Sequence, residues 1–146
     1  MTNTAPDRLS SLKALRLSRV EGVVGTVLVA LVINLVIWLI GLAAGASYDA
    51  QDGDEVMRVA PGGVIFLSTL PTIVGMTAAA LLSLKWTVIL RVAQVVGPVL
   101  AIATIATTAT TEFDSTTSQV FLSLMHVALA AVLYVGLEGM RRNLAK

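Results

Sequence analysis

The sequence contains no cysteine, so disulfides, thiolate nucleophiles, zinc–thiolate sites and iron–sulfur clusters are all excluded. Charge is scarce too. Asp, Glu, Lys and Arg make up 13% of 146 residues, against about a quarter in a soluble domain. Basic residues gather beside apolar runs, where membrane topology accounts for them, and this leaves no support for nucleic-acid binding. There is a single histidine, His126, and no carboxylate at its depth in the chain to complete a proton relay with it.

What the chain does have is apolar length. Hydrophobic residues reach 56% and the mean hydropathy is +0.87. Four stretches, at about 22–46, 62–84, 87–111 and 119–140, run for 20 residues or more with little charge. A helix needs that length to cross ~30 Å of hydrocarbon. The predicted fold class is therefore all-α: a polytopic membrane protein built as a four-helix transmembrane bundle. Residues 1–20 form a basic, amphipathic segment suited to an interfacial helix, with Asp7 or Ser10 as its cap. Residues 21–142 are one transmembrane domain and 143–146 a short tail. Ala44-Gly45-Ala46 resembles a signal-peptide cleavage site, but the apolar stretch before it exceeds the roughly 7 to 15 residues of a signal peptide. The first span is read as uncleaved.

Charge placement orients the bundle. Nine basic residues fall on the side that carries the chain ends, and Arg58 alone falls on the loop side. The positive-inside rule then puts both termini in the cytoplasm, and the expected location is a bacterial plasma membrane. Six of the nine acids lie in the two outer segments, and residues 48–58, with the turn former Asp52-Gly53, read as a solvated loop. Acids there avoid retaining positive charge outside, and no metal site is inferred.

Polar groups inside the spans are the candidates for chemistry, because hydrocarbon offers them no partner. Asn34, Pro71 and Pro98 fall near the midplane, with His126 about one turn toward the outer side. Asn34 shares a helix face with Gly41 and Gly45, a GxxxG pair suited to close helix approach. Gly75, Ala79 and Ser83 form a second small-residue edge. The face through His126 includes Gln119, Ser123 and Ala130. One reading is a polar pocket formed by Asn34, Thr72, Gln94, Ser123 and His126 with carbonyls freed at Pro71 and Pro98. The other is that Asn34 and His126 only tie helices together, at roughly 1 kcal/mol each. Arg91 and Glu138 lie at matching depth on consecutive spans and are expected to form a structural ion pair. Glu138 has an alternative pairing with Arg141 or Arg142 on its own helix. The threonines of span three can return their hydroxyls to the preceding turn and need no ligand.

Asn34 in span one, Gly97-Pro98 in span three, Met125-His126 in span four and the terminal Arg141-Arg142 together resemble a family of small four-span membrane proteins of unknown function common in actinobacteria. The resemblance runs from about Arg19 to Arg142 and implies the same topology without naming an activity. The leading expectation is a non-catalytic accessory subunit, or a binder of a lipid or small hydrophobic ligand within the bundle, with no cofactor. An alternative is a membrane enzyme acting on a lipophilic substrate, with His126 as acid or base and Asn34 as orienting donor. Third is an oligomeric transporter or channel. The expected partners are membrane lipids, with room for a homo-oligomer or a larger membrane-protein complex.

Overall fold

A computed structural model describes residues 15–52, 55–113 and 115–144. These residues contain four helices: α1 (Arg19–Ala43), α2 (Pro61–Leu82), α3 (Ile89–Thr110) and α4 (Thr116–Leu144). All four are long and apolar enough to cross a membrane. The interfacial helix expected over residues 1–20 lies mostly outside the described residues, as do Asp7 and Ser10. Ser18 is the residue that starts α1. Its hydroxyl accepts from the Glu21 N–H at 3.2 Å, and the Glu21 carboxylate accepts from the Ser18 N–H at 2.8 Å. This reciprocal capping box satisfies two donors that a helix start otherwise leaves open.

The packing is uneven. α1 contacts both α2 and α4, and α3 packs mainly on α4, whereas α2 and α3 meet only sparsely. Close approach of α1 and α4 rests on missing side chains. A Cβ added at Gly136 would collide with the Thr26 hydroxyl, and one at Gly22 would collide with the Met140 side chain. Around this contact Met76, Ala79, Leu90, Leu137 and Met140 form one buried cluster.

The two glycine edges expected from sequence behave differently. α1 ends at Ala43, so Gly41 and Gly45 do not form a helix–helix GxxxG face. Gly45 instead adopts φ +88 and ends the helix in a Schellman turn, with the Ala46 N–H donating to the Gly41 carbonyl at 2.9 Å and the Gly45 N–H to Leu42 at 3.0 Å. Gly41 lies against the Tyr48 hydroxyl and Phe121. On α2, Ala79 is buried in the core, but Gly75 faces open space and does not pack a neighbouring helix.

Residues 48–58, expected as a loop, form an antiparallel hairpin of β1 (Asp49–Asp52) and β2 (Glu55–Arg58). Its polar composition hid the pairing, and the hairpin also meets partners distant in sequence. The Gln51 N–H donates to the Glu112 carbonyl at 2.9 Å, and Ala50 bridges Phe113. Tyr48, fully buried, stacks on Trp38 with centroids 5.9 Å apart, and its N–H donates to the Ser118 hydroxyl at 3.0 Å. The Trp38 indole donates to the Val59 carbonyl at 3.2 Å. The hairpin is thus tied to α1 and to the start of α4. At the opposite end, the Leu17 N–H donates to the Gly139 carbonyl at 3.0 Å, which places the two described chain ends together.

Two outcomes test this architecture. Gly136→Ala should lower the thermal stability of the solubilised protein by about 1–3 kcal/mol through overpacking, while Gly75→Ala should leave it nearly unchanged. Calorimetry of the two variants would check the contrast. In the hairpin, hydrogen bonds from Arg58 hold the Asp49 carboxyl below its ordinary value of 3.8. A carboxylate lowered in the folded state contributes stability above that value and loses it as pH falls through the lower folded value. An NMR titration should therefore show the Arg58 Nε resonance and the hairpin amides shifting below pH 3.8, and Asp49→Asn should abolish that transition.

Candidate functional site

The sparse contact between α2 and α3 leaves a lateral cleft. It encloses about 450 Å³ and is lined by Pro71, Gly75, Gly97, Thr104, His126 and Leu133 among others. Two of these residues are glycines, and the absence of side chains on both sides of the seam makes the space. Leu67, Val96 and Leu100 at the cleft are 62%, 47% and 61% exposed, so the opening faces the surroundings of the bundle, not its axis. A second cavity of about 80 Å³ adjoins Asn34, Ser68, Val64, Leu122 and Met125. His126, Leu67 and Leu129 line both.

The hydrogen bonds of these polar side chains show which groups are committed. The Asn34 amide is 4% exposed; its Nδ2 donates to the Ser68 hydroxyl at 2.9 Å, and its Oδ1 has no partner among the described residues. Turning the amide over would only exchange the two ends, so one end lacks a protein partner in either orientation. An unpartnered buried polar atom costs about 1–3 kcal/mol. His126 Nδ1 lies 2.8 Å from the Leu122 carbonyl. A carbonyl can only accept, so Nδ1 carries the proton and the neutral ring keeps its lone pair on Nε2. Thr72 Oγ1 is already committed, donating to the Ser68 carbonyl at 2.7 Å.

Of the residues expected to bind a ligand, Asn34, Thr72 and His126 therefore line cavity walls. Gln94 and Ser123 line neither cavity. Gln94 is turned toward α4, where its amide donates to Glu138 at 2.9 Å. Ser68 enters the site as the partner of Asn34, a role sequence reasoning did not assign it. The signal available was its position three residues before Pro71, which places a small hydroxyl at the depth of Asn34.

Glu138 does not pair with Arg91. Its carboxylate accepts from Arg141 at 2.8 Å through both Nε and Nη2, and from Arg142 Nε at 2.6 Å. Residues three and four positions along the same helix reach a carboxylate without depending on how two helices dock. Gln94, one turn beyond Arg91, is the α3 residue that completes the cluster, while Arg91 stands exposed.

A model of the family described as a family of unknown function (DUF6069) matches residues 15–143. The chain belongs to that family. No curated protein and no solved structure matches it. The DUF6069 match takes in α1 to α3, all of α4 but its last residue, both cavities and Glu138. The resemblance noted from Asn34, Gly97-Pro98, Met125-His126 and Arg141-Arg142 falls within this stretch.

The Glu138 cluster can be tested by stability. Glu138→Ala leaves Arg141, Arg142 and Gln94 without their shared acceptor and should cost roughly 1–3 kcal/mol, in the range for hydrogen bonds to charged groups. Arg91→Ala should stay within about 0.5 kcal/mol, as for an exposed residue. Thermal melts in lipid-free detergent would compare the two.

Proposed function

We propose that this membrane protein binds one lipophilic molecule with a small neutral polar end, taken up sideways from the bilayer through the seam between α2 and α3. The observation that carries this reading is a pair of polar groups without protein partners around the smaller cavity, which shares His126 with the cleft. These are one end of the Asn34 amide and the Nε2 lone pair of His126. A hydroxyl or amide on the ligand would donate to His126 Nε2 and pair with the free end of the Asn34 amide while its apolar body fills the larger cavity. That volume lies within the roughly 300–1,000 Å³ of ligand pockets, which combine apolar walls with a few placed polar groups.

On this reading residues 21–142 act as a single transmembrane unit in a bacterial, actinobacterial plasma membrane. Both termini are cytoplasmic. The excess of basic residues on the end-bearing side supports that orientation. An enzymatic role for His126 lacks support, because no second titratable side chain lines either cavity among the described residues.

Native mass spectrometry of protein released from gently solubilised membranes tests the proposal. The wild-type protein should retain a molecule of defined mass, and Asn34→Leu and His126→Leu should each reduce its occupancy about fivefold, the effect of losing one hydrogen bond of ~1 kcal/mol. If the wild type carries no ligand, or if both variants keep it undiminished while melting at lower temperature, Asn34 and His126 are helix ties and the proposal fails.

A further inference from the structure

A third recess lies away from the cleft, at the end of the bundle that carries the two described chain ends. It encloses about 290 Å³ and is lined by Thr87, Val88, Leu90, Arg91, Arg141 and Leu144. Its depth is marked by Trp86, whose ring lies 4.8 Å from the Lys85 ammonium. An indole beside a lysine at a helix boundary sits at headgroup level.

We propose that this recess binds the phosphodiester of an anionic phospholipid. Two guanidiniums, those of Arg91 and Arg141, line the recess, and Glu138 is the one carboxylate paired with either of them among the described residues, so its lining keeps a surplus of positive charge. Glu138 engages Nε and Nη2 of Arg141 and thereby fixes the plane of that guanidinium, leaving Nη1 for another acceptor. Arg91 makes no ion pair with an acid among the described residues. A phosphate oxygen pair suits such donors, because guanidinium forks match the spacing of phosphate oxygens. Thr87 adds a hydroxyl to the lining. Val88 and Leu144 supply the apolar part of the lining, which suits the first carbons of the acyl chains. The surplus positive charge discriminates by headgroup: a zwitterionic lipid would bring an ammonium among the guanidiniums, whereas phosphatidylglycerol brings none.

The test uses the full chain in nanodiscs of equal phosphatidylglycerol and phosphatidylcholine, released for native mass spectrometry. Wild-type protein should retain phosphatidylglycerol in preference to phosphatidylcholine. Arg91→Gln should cut that preference about fivefold, as for one basic residue removed at a membrane surface. Arg91→Lys, which keeps the charge but loses the fork, should fall between. Arg91 is exposed, and circular dichroism would confirm that the variants stay folded. Equal retention of the two lipids by the wild type, or an undiminished preference in Arg91→Gln, overturns the proposal. Displacement of phosphatidylglycerol by millimolar inorganic phosphate, with a phosphate adduct in its place, would identify the occupant as free phosphate and overturn the lipid assignment.

Discussion

Hydrocarbon supplies no hydrogen-bond partner, so every polar atom in the four spans must be satisfied by the protein, be closed off by packing, or remain costly. Most of the hydroxyls here take the first course. Thr69, Thr72, Thr104, Thr107, Thr110 and Thr111 each donate to a carbonyl three or four residues earlier. Among the described residues two buried polar atoms have no partner, the hydroxyl Thr26 Oγ1 and the amide oxygen Asn34 Oδ1. Their surroundings separate them. Thr26 is covered by Gly136 so closely that a single added carbon would collide, and nothing can reach it. Asn34 borders a cavity and shares it with His126.

The bundle that surrounds this pair is clamped at its ends and open along one side. At one end Trp38, Tyr48, Val59 and Ser118 tie the hairpin to α1 and α4. At the other, Arg19 Nε donates to the Ser83 hydroxyl at 3.0 Å while that hydroxyl donates to the Ala80 carbonyl at 2.7 Å. The same end holds the Glu138 cluster. These contacts join α1 to α2 and α3 to α4. No comparable polar link joins α2 to α3 among the described residues, and the cleft follows that seam. An apolar pocket opening sideways is accessible to molecules dissolved in the bilayer without any path through water.

Small residues have different consequences according to what faces them. Gly136 and Gly22 bring α1 and α4 together because Thr26 and Met140 occupy the space a Cβ would take. Gly75 and Gly97 line the cleft, where missing side chains leave volume instead of contact. The spacing of glycines along a helix is the same kind of signal in both cases. Which outcome follows depends on the neighbouring helix.

Hydrophobic length and the scarcity of charge were enough to determine the four spanning helices, since a run of that composition has no other stable form in lipid. The same reasoning singled out Asn34 and His126, because a polar side chain at that depth needs an explanation wherever it packs. Helix ends and partners depended on tertiary structure. Gly45 was indistinguishable in sequence from a helix-packing residue, and only the turn back through Ala46 and Tyr48 makes it a terminator. The hairpin at 49–58 pairs with residues 112 and 113, more than fifty positions away, which local composition cannot register. Glu138 had two candidate sets of partners at equal depth, and the rotation of α3 decided between them by presenting Gln94 in place of Arg91. Depth along each helix is written in the sequence, whereas the angle at which its faces meet their neighbours is a property of the assembled bundle.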